Sequence, residues 1–240
     1  MTAPDFARFD QRQYPTVSAR DGYRGWLPSY ESSVEDHMDL DLLDRVTTVP
    51  WHEATRVADL GCGTGRTARW LRTRTQSPID GVDLTPEMLA VARTRRLHDS
   101  LVRADVRATG LPDARYDLVV CSLVDEHLPS LAPLYAEARR LLHPGGVFVL
   151  VGYHPFFMMA SGMATHFDDP AGQSVAIETY VHLSSEHVGA ATAAGFVASE
   201  LHEGLIDDTW VELKPGWATY RDWPVSFVWV WRVGTERVSA

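Results

Sequence analysis

The sequence predicts an α/β fold built on a mostly parallel sheet. Two observations carry that prediction. Short β-branched runs alternate with amphipathic helical stretches through the middle of the chain, and glycines or acids sit at the ends of those runs. Such alternation argues for βαβ units. RVADL (56–60) reads as the first strand and GRTARWLRTR (65–74) as the helix after it. IDGVDL (79–84) is the second strand, followed by PEMLAVARTRRL (86–97), a helix with Thr85 as cap and Pro86 at its first position. SLVRAD (100–105) and YDLVVCSL (116–123) supply strands three and four. LAPLYAEARRLL (131–142) is a helix closed by His143-Pro144-Gly145-Gly146, and VFVLVGY (147–153) is strand five. SSEHVGAATAAG (184–195) makes a helix ending in glycine, FVASELHEG (196–204) a strand, and PVSFVWVWRVG (224–234) a last strand with clean alternation.

Residues 1–50, 153–183 and 205–223 break the pattern and are rich in Tyr, Trp, Phe, His and Pro. The expected organisation is one domain over 1–240, with an N-terminal helical cap (1–50), a ligand-binding core (51–152) and two lid insertions (153–183 and 205–223). Long irregular segments in a compact domain tend to be lids or binding surfaces.

Composition narrows the partners. Hydrophobic residues make up 45% of the chain and charged residues 22%, as in a globular protein with a sizeable core. The net charge is −10, and Lys214 is the only lysine, so the chain is a poor match to a phosphate backbone. The arginine clusters (66, 69, 72, 74 and 93, 95, 96) fall on predicted helices and read as solvated faces. No apolar run reaches the roughly 18–20 residues that span a bilayer, and the N-terminal stretch has no apolar core of a secretory signal. Cys62 and Cys121 lie far apart in apolar contexts and read as two buried thiols of a cytoplasmic protein. His154 and His166 are twelve residues apart without matched ligands, so no metal is expected.

VADLGCGTGR places Gly61, Gly63 and Gly65 between the first strand and a helix. Glycines let the backbone approach a ligand, and a helix N-terminus offers free N–H groups. A nicotinamide site wants G-x-G-x-x-G, whereas Arg66 holds the third-glycine slot here. Asp59 just upstream would repel a pyrophosphate and welcome an ammonium or sulfonium. Asp83 ends strand two and Asp105 ends strand three, so acids close three successive strands at the edge where open α/β sheets bind ligands.

DLGCGTG (59–65), GVDLTPEMLAVAR (81–93), RADVRATGLP (103–112), YDLVVCSLVDEHL (116–128) and LLHPGGVFVL (141–150) together resemble a class I S-adenosylmethionine-dependent methyltransferase of the small-molecule type. The resemblance covers roughly residues 20–152. It implies a Rossmann-like, doubly wound, seven-stranded sheet whose last strand is antiparallel, with S-adenosylmethionine as cofactor. Carried over by residue, Asp59, Gly61 and Gly63 line the methionine half, with Gly65 completing the loop. Asp83 holds the ribose hydroxyls and Leu84 lies against the adenine. Asp105 accepts from the adenine amino group, Val106 contacts the ring, and Ser122 and Leu123 approach the sulfonium. Tyr23 and Tyr30, in the aromatic lead-in, are candidates for covering the cofactor.

An activated methyl donor leaves the protein mainly the task of positioning the acceptor. Where the acceptor must also lose a proton, Glu126 after strand four and His154 after strand five are the expected catalytic residues. His127 reads equally as a packing or capping histidine, and His166, Glu178 and His182 are weaker candidates. Trp26, Tyr153, Phe156, Phe157 and Tyr180 are expected to wall the acceptor pocket. The expected acceptor is a small aromatic or polycyclic molecule of specialised metabolism, an indole among the candidates, methylated on carbon, nitrogen or oxygen. The alternative is an S-adenosylmethionine-binding enzyme of this fold that performs cyclisation or decarboxylation. The aromatic N-terminal segment is a candidate homodimer surface.

Overall fold

The computed structural model describes residues 4–34 and 36–234. Residues 1–3 and 35, part of the expected N-terminal cap, and residues 235–240 lie outside the described residues. In chain order the first elements are β1 (Thr16–Val17), α1 (Ala19–Trp26), α2 (Tyr30–Ser33) and α3 (Leu40–Arg45). The alternating core follows: β2 (Val57–Leu60), α4 (Arg66–Leu71), β3 (Ile79–Asp83), α5 (Pro86–Arg95), β4 (Ser100–Arg103), β5 (Tyr116–Ser122), α6 (Ala132–Leu141) and β6 (Leu142–Tyr153). Then come α7 (Pro155–Ser161), β7 (His166–Asp168), β8 (Ser174–Ile177), α8 (Ser184–Ala193), β9 (Phe196–Leu205), α9 (Asp208–Leu213) and β10 (Pro224–Val233).

Seven strands form one sheet in the order β4-β3-β2-β5-β6-β10-β9. The pairs from β4 through β6 are parallel, and β10 runs antiparallel to both its neighbours. This is the Rossmann-like, doubly wound sheet with an antiparallel last strand. Every position of β2 is buried, and its two faces feed two cores. Ala58 and Leu60 pack with Leu134 and Ala138 of α6, while Val57 packs with Leu42 and Leu43 of α3 and Leu71 of α4. A strand covered on both faces has no solvent side to mark with polar residues, which is why its sequence does not alternate. Strand order reverses between β2 and β5, so a crevice opens beyond their C-terminal ends.

Three details depart from expectation. Thr85 stands at the N-cap of α5, but its side chain makes no capping bond; its N–H instead donates to Asp83 Oδ1 at 2.7 Å. His143-Pro144-Gly145-Gly146 does not separate α6 from a strand: Leu142 already pairs with Tyr116, and the irregularity that follows holds Gly145 at φ +84°. The lead-in and the first insertion also contain strands. Hairpin β7–β8 turns over residues 169–173, where Asp169 Oδ1 accepts from the N–H groups of Ala171 and Gln173. β1 then adds in parallel to β8, making a second, three-stranded sheet. A third cluster of buried residues, including Tyr153, Phe157, Met163 and Trp210, joins the two insertions and Phe6 of the lead-in. Cys62 and Cys121 are buried free thiols. Among the described residues no helix is long and apolar enough to cross a membrane.

Candidate active site

The parallel register aligns the ends of β2, β3, β5 and β6 along one edge of the sheet. The chain leaves β2 through three glycines that all take positive φ. Gly61 and Cys62 donate their N–H groups to the Val82 carbonyl at 2.8 and 3.0 Å, which closes the turn. At Gly63 (φ +52°) a Cβ would meet nothing nearer than the Gly61 carbonyl at 4.0 Å, so this bend presents bare backbone to open space. Its N–H donates to Asp83 Oδ2 at 2.9 Å. Asp83 is thereby fixed by two backbone N–H groups at the edge of the crevice. Burial raises its carboxyl above the usual range, against those hydrogen bonds.

A cavity of about 140 Å³ lies over this loop. Gly61, Gly63, Asp83 and Leu84 line it, as do Asp105, Val106, Ser122 and Leu123, and Tyr23 and Tyr30 cover it. Ten residues expected around one cofactor therefore meet around one space. Asp59 and Gly65 do not. Asp59 is 1% exposed and lies beneath the loop, with Oδ2 3.0 Å from His98 Nε2. His98 fits there because Gly81 has no side chain; a Cβ at Gly81 would lie 2.6 Å from its ring. Gly65 serves as the left-handed N-cap of α4 at φ +91°. Asp105 faces the cavity, but its carboxylate is held by Arg107 Nε and the Arg107 backbone N–H, each at 2.9 Å. The Arg107 guanidinium keeps that carboxyl below the usual range. Arg66, in the third-glycine slot, is buried and pairs with Asp39 at 3.0 Å, and Asp39 also accepts from the Ser122 hydroxyl at 3.0 Å.

A second cavity, of about 640 Å³, opens beside the first. Tyr23, Tyr30 and Leu123 line both. Leu123 holds φ +55°, an uncommon conformation for a residue with a side chain, and its N–H donates to the Val151 carbonyl. The expected Trp26, Tyr153 and Glu126 line the larger space. Phe167, Trp210 and Trp217 add further aromatic wall. Arg12, Lys214 and His166 supply polar groups there. Trp26 lies at 5.8 Å and 5.1 Å from Tyr23 and Tyr30, so the lead-in forms one aromatic block over the seam.

Four expected residues lie elsewhere. His154 lines neither cavity: it caps α7, with Nδ1 accepting from the Phe156 N–H at 3.1 Å and Nε2 3.0 Å from Glu203 Oε1. Phe156 is 43% exposed and packs edge-on against Trp223. Phe157 is fully buried and stacks at 5.2 Å behind Trp217, supporting the wall from outside. The Tyr180 hydroxyl donates to Glu178 Oε1, and its ring lines neither cavity.

Glu126 is 3% exposed, and its Oε1 is 3.4 Å from the Thr165 hydroxyl. Burial first, and then the neighbouring Asp125 carboxylate, push its carboxyl well above the usual range. That shift favours the neutral carboxyl over the carboxylate that the expected general base requires. His127, read equally as a packing residue, meets the Tyr23 hydroxyl at 3.0 Å through Nε2. Its Nδ1 is 2.8 Å from the Glu178 carbonyl. Trp210 and Trp217 belong to the aromatic-rich insertion 205–223, whereas nothing in the sequence marks Arg12.

Residues 58–150 match the family model described as a methyltransferase domain. Over 99 residues the chain is 37% identical to a malonyl-acyl-carrier-protein O-methyltransferase of Enterobacter lignolyticus (strain SCF1), covering 41% of this chain and 39% of that one. Over 129 residues it is 36% identical to a trans-aconitate 2-methyltransferase of Azoarcus sp. (strain BH72), covering 53% and 46%. The chain thus spans less than half the length of either relative. An S-adenosylmethionine-dependent methyltransferase from Mesorhizobium loti superposes with a TM-score of 0.64 at 24% identity, covering 82% of this chain and 97% of that one. Residues 58–150 carry a methyltransferase domain, and the sheet has the fold of S-adenosylmethionine-dependent methyltransferases. The small cavity of the methyltransferase domain suits that cofactor chemically. Bare backbone at Gly63 allows close approach, and Asp83 places a carboxyl in the lining of the same space.

Proposed function

We propose that this protein transfers a methyl group from S-adenosylmethionine to a small aromatic acceptor bound in the 640 Å³ cavity. The observation that carries this reading is the shared wall: Tyr23, Tyr30 and Leu123 belong to both cavities, so a group held in one can reach the other only across them. Gly61, Gly63 and Asp83 would hold the cofactor's methionine and ribose, Leu84 and Val106 would flank the adenine, and Ser122 and Leu123 would approach the sulfur. The bound cofactor supplies an electrophilic methyl. The chain's own contribution is to orient the acceptor and exclude water, and positioning of this kind lowers a barrier by about 7–11 kcal/mol.

Trp26, Tyr153, Phe167, Trp210 and Trp217 favour a flat apolar acceptor. The two relatives are named for acidic acceptors, and Arg12 at this cavity offers a carboxylate-bearing aromatic a second anchor. A compound of this kind, an indole or a phenol, belongs with specialised metabolism.

Calorimetry with S-adenosylhomocysteine, followed by transfer of labelled methyl to aromatic probes, tests the reading. Asp83→Asn is expected to weaken S-adenosylhomocysteine binding by about 10-fold or more, because a hydrogen bond to a charged group is worth about 1.5–3 kcal/mol. Unchanged affinity in that variant, or no binding by the wild type, would refute it.

A further inference from the structure

Tyr23 occupies the seam between the cavities, and its hydroxyl is the polar group that α1 brings there. That hydroxyl is 3.0 Å from His127 Nε2, and His127 Nδ1 is 2.8 Å from the Glu178 carbonyl oxygen. A carbonyl oxygen can only accept, so the hydrogen of a neutral His127 resides on Nδ1. The lone pair on Nε2 is then left to take the Tyr23 hydroxyl proton. With 4% of its side chain exposed, His127 is out of reach of bulk water. We propose that Tyr23 and His127 form a proton relay serving an aromatic hydroxyl acceptor, so that the atom methylated is a phenolic oxygen. The proposal rests on the methyl-transfer reading and specifies its substrate class.

The rival bases are otherwise engaged. Glu126 lines the larger cavity, with burial and the Asp125 carboxylate pushing its carboxyl well above the usual range, and Asp83 accepts from two backbone N–H groups. His182 and His187 line neither cavity. His166 lines the larger cavity but not the smaller one, so it is not part of the shared wall.

In the step, the acceptor O–H passes its proton to the Tyr23 oxygen as the Tyr23 proton moves to His127 Nε2. The acceptor oxygen bonds to the methyl carbon, and the carbon–sulfur bond breaks with its electron pair left on sulfur. The positive charge of the sulfonium ends on the His127 imidazolium, which returns its proton through the Tyr23 hydroxyl to water that enters the emptied cavity as product leaves. Tyr23 stays neutral throughout, consistent with a phenol whose burial opposes ionisation. A carboxylate acceptor is already ionised and would need no relay. The charged and titratable groups facing the pair are Asp125 and Glu126 on the same turn, Glu178 beyond β8, Tyr30 of α2, Asp83 of β3 and Arg66 of α4.

Two measurements on the full chain decide it. Imidazole nitrogen NMR of the S-adenosylhomocysteine complex should show His127 neutral at about pH 7, with hydrogen on Nδ1 and an Nε2 signal that shifts in Tyr23→Phe. An Nε2–H tautomer or an imidazolium at that pH overturns the relay. With a naphthol as acceptor, Tyr23→Phe and His127→Asn should each lower single-turnover transfer by about 10²-fold or more. The remaining rate should rise with ionisation of the naphthol itself. Variants that keep the wild-type rate and pH profile, or a wild type that prefers the matching naphthoate, overturn the relay. Failure of the wild type to bind S-adenosylhomocysteine overturns the methyl-transfer reading and the relay with it. Intact binding with the wrong tautomer overturns the relay alone.

Discussion

Glu126 shows how burial changes what a residue can do. The sequence places an acid four residues past the end of β5, where a base would be useful. In the structure it is enclosed beside Asp125, and two carboxylates that close do not both ionise. The consequence can be read in stability. The folded carboxyl titrates well above its unfolded value of 4.5, so over that interval the folded state holds a proton that the unfolded state has released. This contribution is therefore fully present below about pH 4.5 and is lost as pH rises, by at most about 1.4 kcal/mol per pH unit. Urea unfolding at about pH 5 and about pH 8 should show the wild type losing more stability than Glu126→Gln. Equal losses in the two proteins would mean that the carboxyl is ionised in the folded state. Leu123 makes the complementary point: no pattern of residue types announces a leucine at φ +55°, because the constraint comes from its β6 neighbour and from the seam it forms.

At the scale of elements, α7 explains the reassignment of His154. Pro155 begins this helix, where a missing N–H costs nothing, and the residue before it is placed to cap. The imidazole accepts from Phe156 and reaches Glu203 of β9, so it is used in ending β6 and starting α7. His154→Ala is expected to cost about 1 kcal/mol of stability. Measured at saturating cofactor and acceptor, its turnover should stay within about 2-fold of wild type. A loss of 10²-fold in a folded variant would return His154 to the chemistry. The core strands were legible because buried strands of a parallel sheet leave apolar runs between turn residues, as residues 118–121 and 147–151 do. The β7–β8 hairpin falls inside the expected irregular insertion 153–183, although Asp169-Pro170-Ala171-Gly172 is a turn signal between two short β-prone stretches. Its partner β1 is two residues long and lies far away in sequence, so no local pattern could reveal the second sheet.

For the whole molecule, the cofactor half of the site was readable and the acceptor half much less so. Gly61, Gly63, Asp83 and Asp105 sit at strand ends, and the topology of a parallel sheet brings strand ends together. The acceptor space is enclosed by segments from three separate parts of the chain: the lead-in, the first insertion and the second. Their contacts, such as Trp26 on Phe167 at 6.1 Å and Phe157 on Trp217, depend on tertiary packing. Aromatic content pointed to the right segments without distinguishing Trp217, which lines the cavity, from Phe157, which supports it. The central claim is that the methyl group crosses the seam formed by Tyr23, Tyr30 and Leu123. A crystal structure with S-adenosylhomocysteine tests it most directly. The account predicts the sulfur at that seam, facing the 640 Å³ cavity and within reach of an acceptor oxygen that contacts the Tyr23 hydroxyl. A sulfur directed away from that cavity, with Tyr23 and Leu123 closing the passage, would contradict it.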